Sequence, residues 1–442
     1  MISAELVRRA KSAVAPLASG RLRRAVGARI EIEGLDGAIG DLVEVDCGDG
    51  RLPAEVVALE RDALVCLPLG RPHGLRRGQA ATISSLGLRA PVGEALLGRV
   101  LDGLGRPIDG RPLPLELQEV PVTGEAPDLL SRRPVDRQLP LGVKAIDTLF
   151  ACGQGQRLGL FAGSGVGKST LLGMLARGTA AECSVIALVG ERGREAEEFV
   201  RERLGAGLER SVVIVATSDQ PPMVRLRSAM VATRIAEWFR DQGRDVLLMM
   251  DSLTRFAMAQ REVGLAAGEP PATRGYPPSV FSLLAELLER AGTSEKGSIT
   301  GLYTVLVEGD DMDEPIADAV RAILDGHIVL SRSIAEMGRW PAIDMLASVS
   351  RLAPALTAPA DFAVASKARR LLAIFEEHRD LIEVGAYKVG TSADVDEAIA
   401  KRDAIEAALR QGAGEVVSLE SAWAQLRTAV GGHVPAPAGG AP

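Results

Sequence analysis

The chain has 442 residues, of which 47% are apolar and 25% charged, with a formal net charge of −7. That length supports two or three domains around sizeable cores, and the acidic balance argues against nucleic acid as a partner. Cys47, Cys66, Cys152 and Cys183 are scattered without metal or disulfide spacing, and no apolar run is long enough for a membrane span. With no secretory leader expected, a reducing cytoplasm is the predicted setting.

Residues 1–24 carry Arg8, Arg9, Lys11, Arg21, Arg23 and Arg24 against Glu5, with Leu6, Ala10, Val14 and Leu17 at helical spacing. The spacing predicts a basic amphipathic helix suited to a partner helix or an anionic membrane surface, or else a frayed, solvated terminus. Over 25–92, alternating runs at 28–33, 42–45, 54–59 and 63–67 are broken by glycine turns, the pattern of a small β-barrel. From 93 to 355, apolar runs at 184–189, 212–216, 246–250 and 301–307 alternate with helical stretches such as 223–240, which predicts an α/β unit on a mostly parallel sheet. Residues 356–430 read as helices, with Leu371, Phe375, His378 and Ile382 on one face, and the Gly/Pro/Ala-rich 431–442 reads as a disordered tail.

The most specific chemistry lies in Ala162, Gly163, Ser164, Gly165, Val166, Gly167, Lys168, Ser169 and Thr170. An apolar strand precedes this stretch and an apolar helix face follows it, the context of a phosphate-binding P-loop. Gly163, Gly165 and Gly167 are expected to turn the backbone through positive φ, so that N–H groups and a helix N-terminus face phosphate oxygens. Lys168 is expected to reach the β- and γ-phosphates, and the Ser169 hydroxyl to hold Mg²⁺. Ala162 stands where the pattern has its first glycine, which is tolerable if its φ is negative.

The run ending at Asp251 reads as the strand whose terminal carboxylate holds Mg²⁺ through water or Ser169. Glu191 follows another buried strand and reads either as the carboxylate that polarises the attacking water or as a surface residue between Arg192 and Arg194. The acidic run Glu308, Asp310, Asp311, Asp313 and Glu314 lacks the spacing of a calcium loop and reads as solvated.

Four features together resemble the rotary ATPase superfamily of ATP synthase α and β subunits: the P-loop, the Gly190-Glu191-Arg192 turn, the Asp251 strand and Ser348-Val349-Ser350-Arg351. The segments 251–262, 268–279 and 307–315 are most similar to the flagellum-specific ATPases of the flagellar type III export apparatus, and the likeness spans about 25 to 430. The resemblance implies an N-terminal barrel, a P-loop RecA-like domain and C-terminal helices, assembled as a homohexamer with ATP and Mg²⁺ at subunit interfaces. It implies Glu191 as the residue that activates water, Arg192 as a γ-phosphate sensor and Arg351 as an arginine finger given to a neighbouring subunit. Trp340 matches an aromatic that stacks on adenine, and Tyr387 is expected to close the other side of that pocket. The implied partners are a stator-like negative regulator, a coiled-coil central stalk, the membrane export gate, substrate–chaperone complexes and acidic phospholipid at the cytoplasmic face of the inner membrane.

Competing readings are a virulence-type injectisome ATPase and a nucleotide-binding assembly scaffold with little turnover. An RNA translocase would need aromatic and basic side chains in the barrel, and residues 25–90 contain no Phe, Tyr or Trp.

Overall fold

The computed structural model describes residues 19–431 except 49, 85, 86, 129, 308 and 310. The amphipathic pattern of 1–18 and the tail at 432–442 lie outside the described residues.

Six strands close an antiparallel barrel: β1 (Ser19–Val26), β2 (Arg29–Glu33), β3 (Leu42–Asp46), β4 (Arg51–Glu60), β5 (Ala63–Pro68) and β6 (Ala80–Ser84), in the order β1-β2-β5-β4-β3-β6. Ser19–Val26 corrects the helical reading of residues 19–24. Gly20 and Leu22 point inward and Arg21 and Arg23 outward, a period of two that charge hid, and both edges of β1 are paired, by β2 and β6. The barrel interior is apolar, built on Ile30, Ile32, Val43, Val45, Val56 and Cys66. An antiparallel ribbon follows, β7 (Arg89–Val92) with β9 (Gln118–Pro121).

The central sheet runs β17-β16-β10-β15-β13-β11-β12-β8, from β17 (Val349–Ser350) at one edge to β8 (Arg99–Asp102) at the other. Between them lie β16 (Gly326–Leu330), β10 (Arg157–Ala162), β15 (Ser298–Leu306), β13 (Asp245–Asp251), β11 (Cys183–Val189) and β12 (Ser211–Ala216), and the short β14 (Gly292–Thr293) pairs with β15. Pairing is parallel from β16 to β8. The predicted strands are thus present: 184–189, 212–216 and 246–250 are each extended by a residue or more, and the run expected at 301–307 is the strand Ser298–Leu306.

Both faces of the sheet are covered, which is why its strands read as unbroken apolar runs. Val246, Leu248 and Met250 of β13 enter one core with the helix Pro222–Asp241. Leu247 and Met249 enter the other core with Leu171, Leu172 and Leu175 of the helix that follows the P-loop. That second core continues into the C-terminal helices Pro359–Glu383, Ala393–Leu409 and Leu419–Val430 through Ala368, Leu371, Ile405, Leu409 and Leu426. The barrel is tied to the central unit by polar contacts: Arg227 Nε donates to Glu55 at 2.8 Å, and Arg71 pairs with Asp219 at 2.6 Å. Among the described residues, no helix is long and apolar enough to cross a membrane.

Candidate functional site

The carboxyl ends of β10, β11, β13 and β15 lie side by side, and in a sheet of this kind that edge is where ligands sit. β10 ends at Ala162 and opens into the loop that leads to the helix Lys168–Gly178. Gly165 (φ 79°) and Gly167 (φ 87°) adopt the left-handed conformation, whereas Gly163 does not, so only two of the three glycines meet the expected backbone demand. Ala162 is also outside that region, and its methyl group is accommodated in the core.

Gly167 is required twice over. It caps the helix in a left-handed conformation, and a Cβ there would come within 2.6 Å of the Trp340 ring. Lys168, the first helical residue, points its Nζ at Asp251 Oδ1 (2.6 Å) and Glu191 Oε1 (3.1 Å). Asp251 is the last residue of β13, and Thr304 of β15 donates its hydroxyl to the same Oδ1 at 2.6 Å. Thr304 was missed in the sequence, since it is one of several hydroxyl residues on β15, with Ser298, Thr300 and Tyr303, and nothing in the strand singles it out.

Glu191 follows β11 through Gly190, whose φ is 71° and whose added Cβ would lie 2.9 Å from Arg255. A buried strand and a crowded glycine therefore deliver this carboxylate to Lys168, which removes the surface alternative left open by sequence. Burial and the neighbouring Asp251 charge push the Glu191 carboxyl up, against the pull of Lys168. For Lys168, burial works to lower the ammonium, but Asp251 and Glu191 outweigh it and hold its proton on. The cluster is a cation clamped between two carboxylates at the mouth of a loop of backbone N–H groups. Ser169 is exposed in the first turn of the helix beside it. Hydroxyl and carboxylate oxygens so placed suit a hard divalent ion such as Mg²⁺ beside phosphate.

Next to the loop lies a cavity of about 400 Å³ lined by Leu171, Met174, Leu330, Trp340 and Pro341 together with Gln411, Gly412 and Ala413. Its mainly apolar walls and single large aromatic suit a planar heterocycle. Tyr387 does not close this pocket, which corrects the expectation for it. Its hydroxyl lies 2.9 Å from Asp396 Oδ1 and 3.0 Å from the Ser392 carbonyl, either of which can take its one proton, and it accepts from the Ser392 N–H at 3.2 Å, so it braces the start of the helix Ala393–Leu409. The 411–413 segment takes that place, and nothing in its composition signals the role.

Arg192 stands apart from the cluster: its side chain is 82% exposed and pairs with Glu195 at 3.1 Å. Arg351 is exposed immediately after β17, at the sheet edge, and its guanidinium reaches the Arg321 carbonyl at 3.4 Å. The described part of the acidic run serves backbone ends. Glu314 caps the helix Pro315–Ile323 and Asp311 accepts from the Asp313 N–H, and among the described residues no group of three or more His, Cys, Asp or Glu side chains is placed to hold a metal ion.

Comparison with known proteins shows the family. Residues 142–350 match the model of the ATP synthase alpha/beta family, nucleotide-binding domain, and residues 357–428 match the T3SS EscN ATPase C-terminal domain. The flagellum-specific ATP synthase of Bacillus subtilis (strain 168) is 48% identical over 416 residues, covering 93% of this chain and 95% of the relative. The type 3 secretion system ATPase of Xanthomonas euvesicatoria is 50% identical over 405 residues, covering 91% of this chain and 92% of the relative. The solved structure of the assembled ATPase EscN in complex with its central stalk EscO, from the enteropathogenic E. coli type III secretion system, is 43% identical with a TM-score of 0.86, covering 93% of this chain and 100% of that one. The chain belongs to the ATP synthase alpha/beta family, within its flagellum-specific and type III secretion ATPases, and it is an ATPase.

Proposed function

We propose that the chain works as a homohexameric ring that hydrolyses ATP to energise unfolding or chaperone release and export of flagellar proteins. The observation that carries this reading is the Lys168–Asp251–Glu191 cluster beside an aromatic-walled cavity. The P-loop amides and Lys168 bind the triphosphate, and the base lies against Trp340. Ser169 and Asp251 would hold Mg²⁺, which would neutralise phosphate charge when bound. Glu191 orients the attacking water and takes its proton. A γ-phosphate would draw Lys168 away from Glu191 and free that carboxylate for the water. Arg192 swings from Glu195 toward the γ-phosphate, and Arg351 reaches the site of the adjacent subunit. The position of Arg351 at a sheet edge supports this role, because an exposed edge is what a neighbour can meet.

The solved relative assembled with its central stalk supports a ring and a stalk partner. The negative regulator, export gate, substrate–chaperone complexes and acidic membrane face complete the proposed setting, with residues 1–18 as the contact segment. A second reading, export by a virulence-type secretion system, is favoured by the identity to the Xanthomonas euvesicatoria ATPase.

The test is export from a strain carrying chromosomal Lys168→Ala at normal protein level. Loss of hook and filament protein from the medium, with growth unchanged, supports the flagellar reading. Normal flagellar export with loss of another secreted set moves the chain to the second reading, and normal export of both overturns the export role.

A further inference from the structure

Gln411 is 1% exposed, and both ends of its carboxamide are hydrogen-bonded. Oε1 accepts from the Lys144 N–H (2.9 Å), and Nε2 donates to the carbonyls of Gly142 (2.9 Å) and Glu415 (2.9 Å). Its own N–H donates to the Trp340 carbonyl at 3.0 Å. One residue thereby joins the segment 142–144, the aromatic wall and the 411–415 strap, which are remote from one another in sequence.

The strap has further ties. Lys144 Nζ donates to the Arg410 carbonyl (3.1 Å) and pairs with Glu415 (2.9 Å), and Arg177 donates to the Ala413 carbonyl (2.7 Å). The anchor at Gly142 is itself fixed: its N–H donates to the buried Asp147 carboxyl at 2.8 Å, and its backbone packs against Gly178 with no room for a Cβ.

We infer that Gln411 is the positioning residue that sets the gap between the two walls of the base pocket, and so determines how much a nucleotide's base adds to its binding. The inference rests on reading the cavity as the base pocket. A buried carboxamide whose two N–H donors and whose oxygen are all engaged by backbone groups is not free to read the base. Its effect is therefore on spacing. Stacking and dispersion fall steeply when a flat ring loses contact on one side by even 0.5–1 Å. None of these hydrogen bonds goes to a residue of the phosphate loop, 162–170, so the triphosphate half of the ligand has contacts of its own.

Inorganic tripolyphosphate is the probe that separates the two halves. In the full-length assembled enzyme, the KM and kcat for ATP and the inhibition constant of tripolyphosphate are measured for wild type and Gln411→Met, a change that keeps length and removes every side-chain hydrogen bond. The KM for ATP is expected to rise about tenfold, in line with loss of buried hydrogen bonds, with kcat within about twofold and tripolyphosphate inhibition unchanged. An unchanged KM, or a parallel loss of ATP and tripolyphosphate binding, overturns the inference. Should Gln411→Met not fold, Arg177→Met detaches the same strap at Ala413, and it must move ATP and not tripolyphosphate in the same way. If wild type itself binds ATP no better than tripolyphosphate, the base-pocket reading fails, and the role of Gln411 falls with it.

Discussion

The two ends of the candidate site are built in opposite ways. At the phosphate end, Lys168, Glu191 and Asp251 are charged, partly buried and held within hydrogen-bond distance, each at the carboxyl end of a strand or just beyond it. At the base end, Trp340 and the 411–413 strap form an apolar cavity whose walls come from the central unit and the C-terminal region. The difference teaches where each kind of binding is encoded. Charge recognition needs a few groups placed by adjacent strands, whereas shape recognition needs distant segments brought together.

If that division is real, substitutions at the two ends affect different kinetic constants. The largest effect is expected for Arg351→Ala, since a finger given in trans is worth ~10³–10⁵ in turnover. In wild type, specific activity should rise with protein concentration across dilutions that dissociate the ring. A flat profile, or an active Arg351→Ala enzyme, would remove the neighbouring subunit from the phosphate end.

Next in size is Glu191→Gln. Losing a positioned general base costs roughly 10²–10⁴ in kcat, while ATP binding should persist because Lys168 keeps its Asp251 partner. Single-turnover measurements beside equilibrium binding check this, and equal turnover in mutant and wild type would sink the assignment.

The smallest effect belongs to the base end. Stacking contributes roughly 1–3 kcal/mol per base, so Trp340→Ala should raise the KM for ATP about tenfold to a hundredfold with little change in kcat, and Trp340→Phe should restore most of it. A kcat defect as large as that of Glu191→Gln would mean that the two ends are one mechanical unit, and the contrast would fail.

Legibility in the sequence follows the same line. The P-loop was readable because its residues are contiguous and its chemistry demands glycine, lysine and a hydroxyl at fixed spacing. The sheet strands were readable because burial on both faces leaves only apolar residues, as in 246–250. Asp251 was legible as the carboxylate that ends such a strand, while Glu191 was decided by the fold, which supplies the neighbouring strand and the crowded turn at Gly190. β1 was missed because its arginines suggested a helix, and only closure against β2 and β6 sets its period at two.

By itself the sequence determined that this chain is a nucleotide-binding protein and pointed to the loop, to its Lys168 and to the strand-ending Asp251, because those requirements are local and chemical. Only the tertiary structure decided that Thr304 supports Asp251, that Tyr387 braces a helix instead of a base, and that Gln411 clasps the pocket. Those contacts join residues far apart in the chain, and a side chain's hydrogen-bond partners depend on which segments packing brings beside it, which no local pattern records.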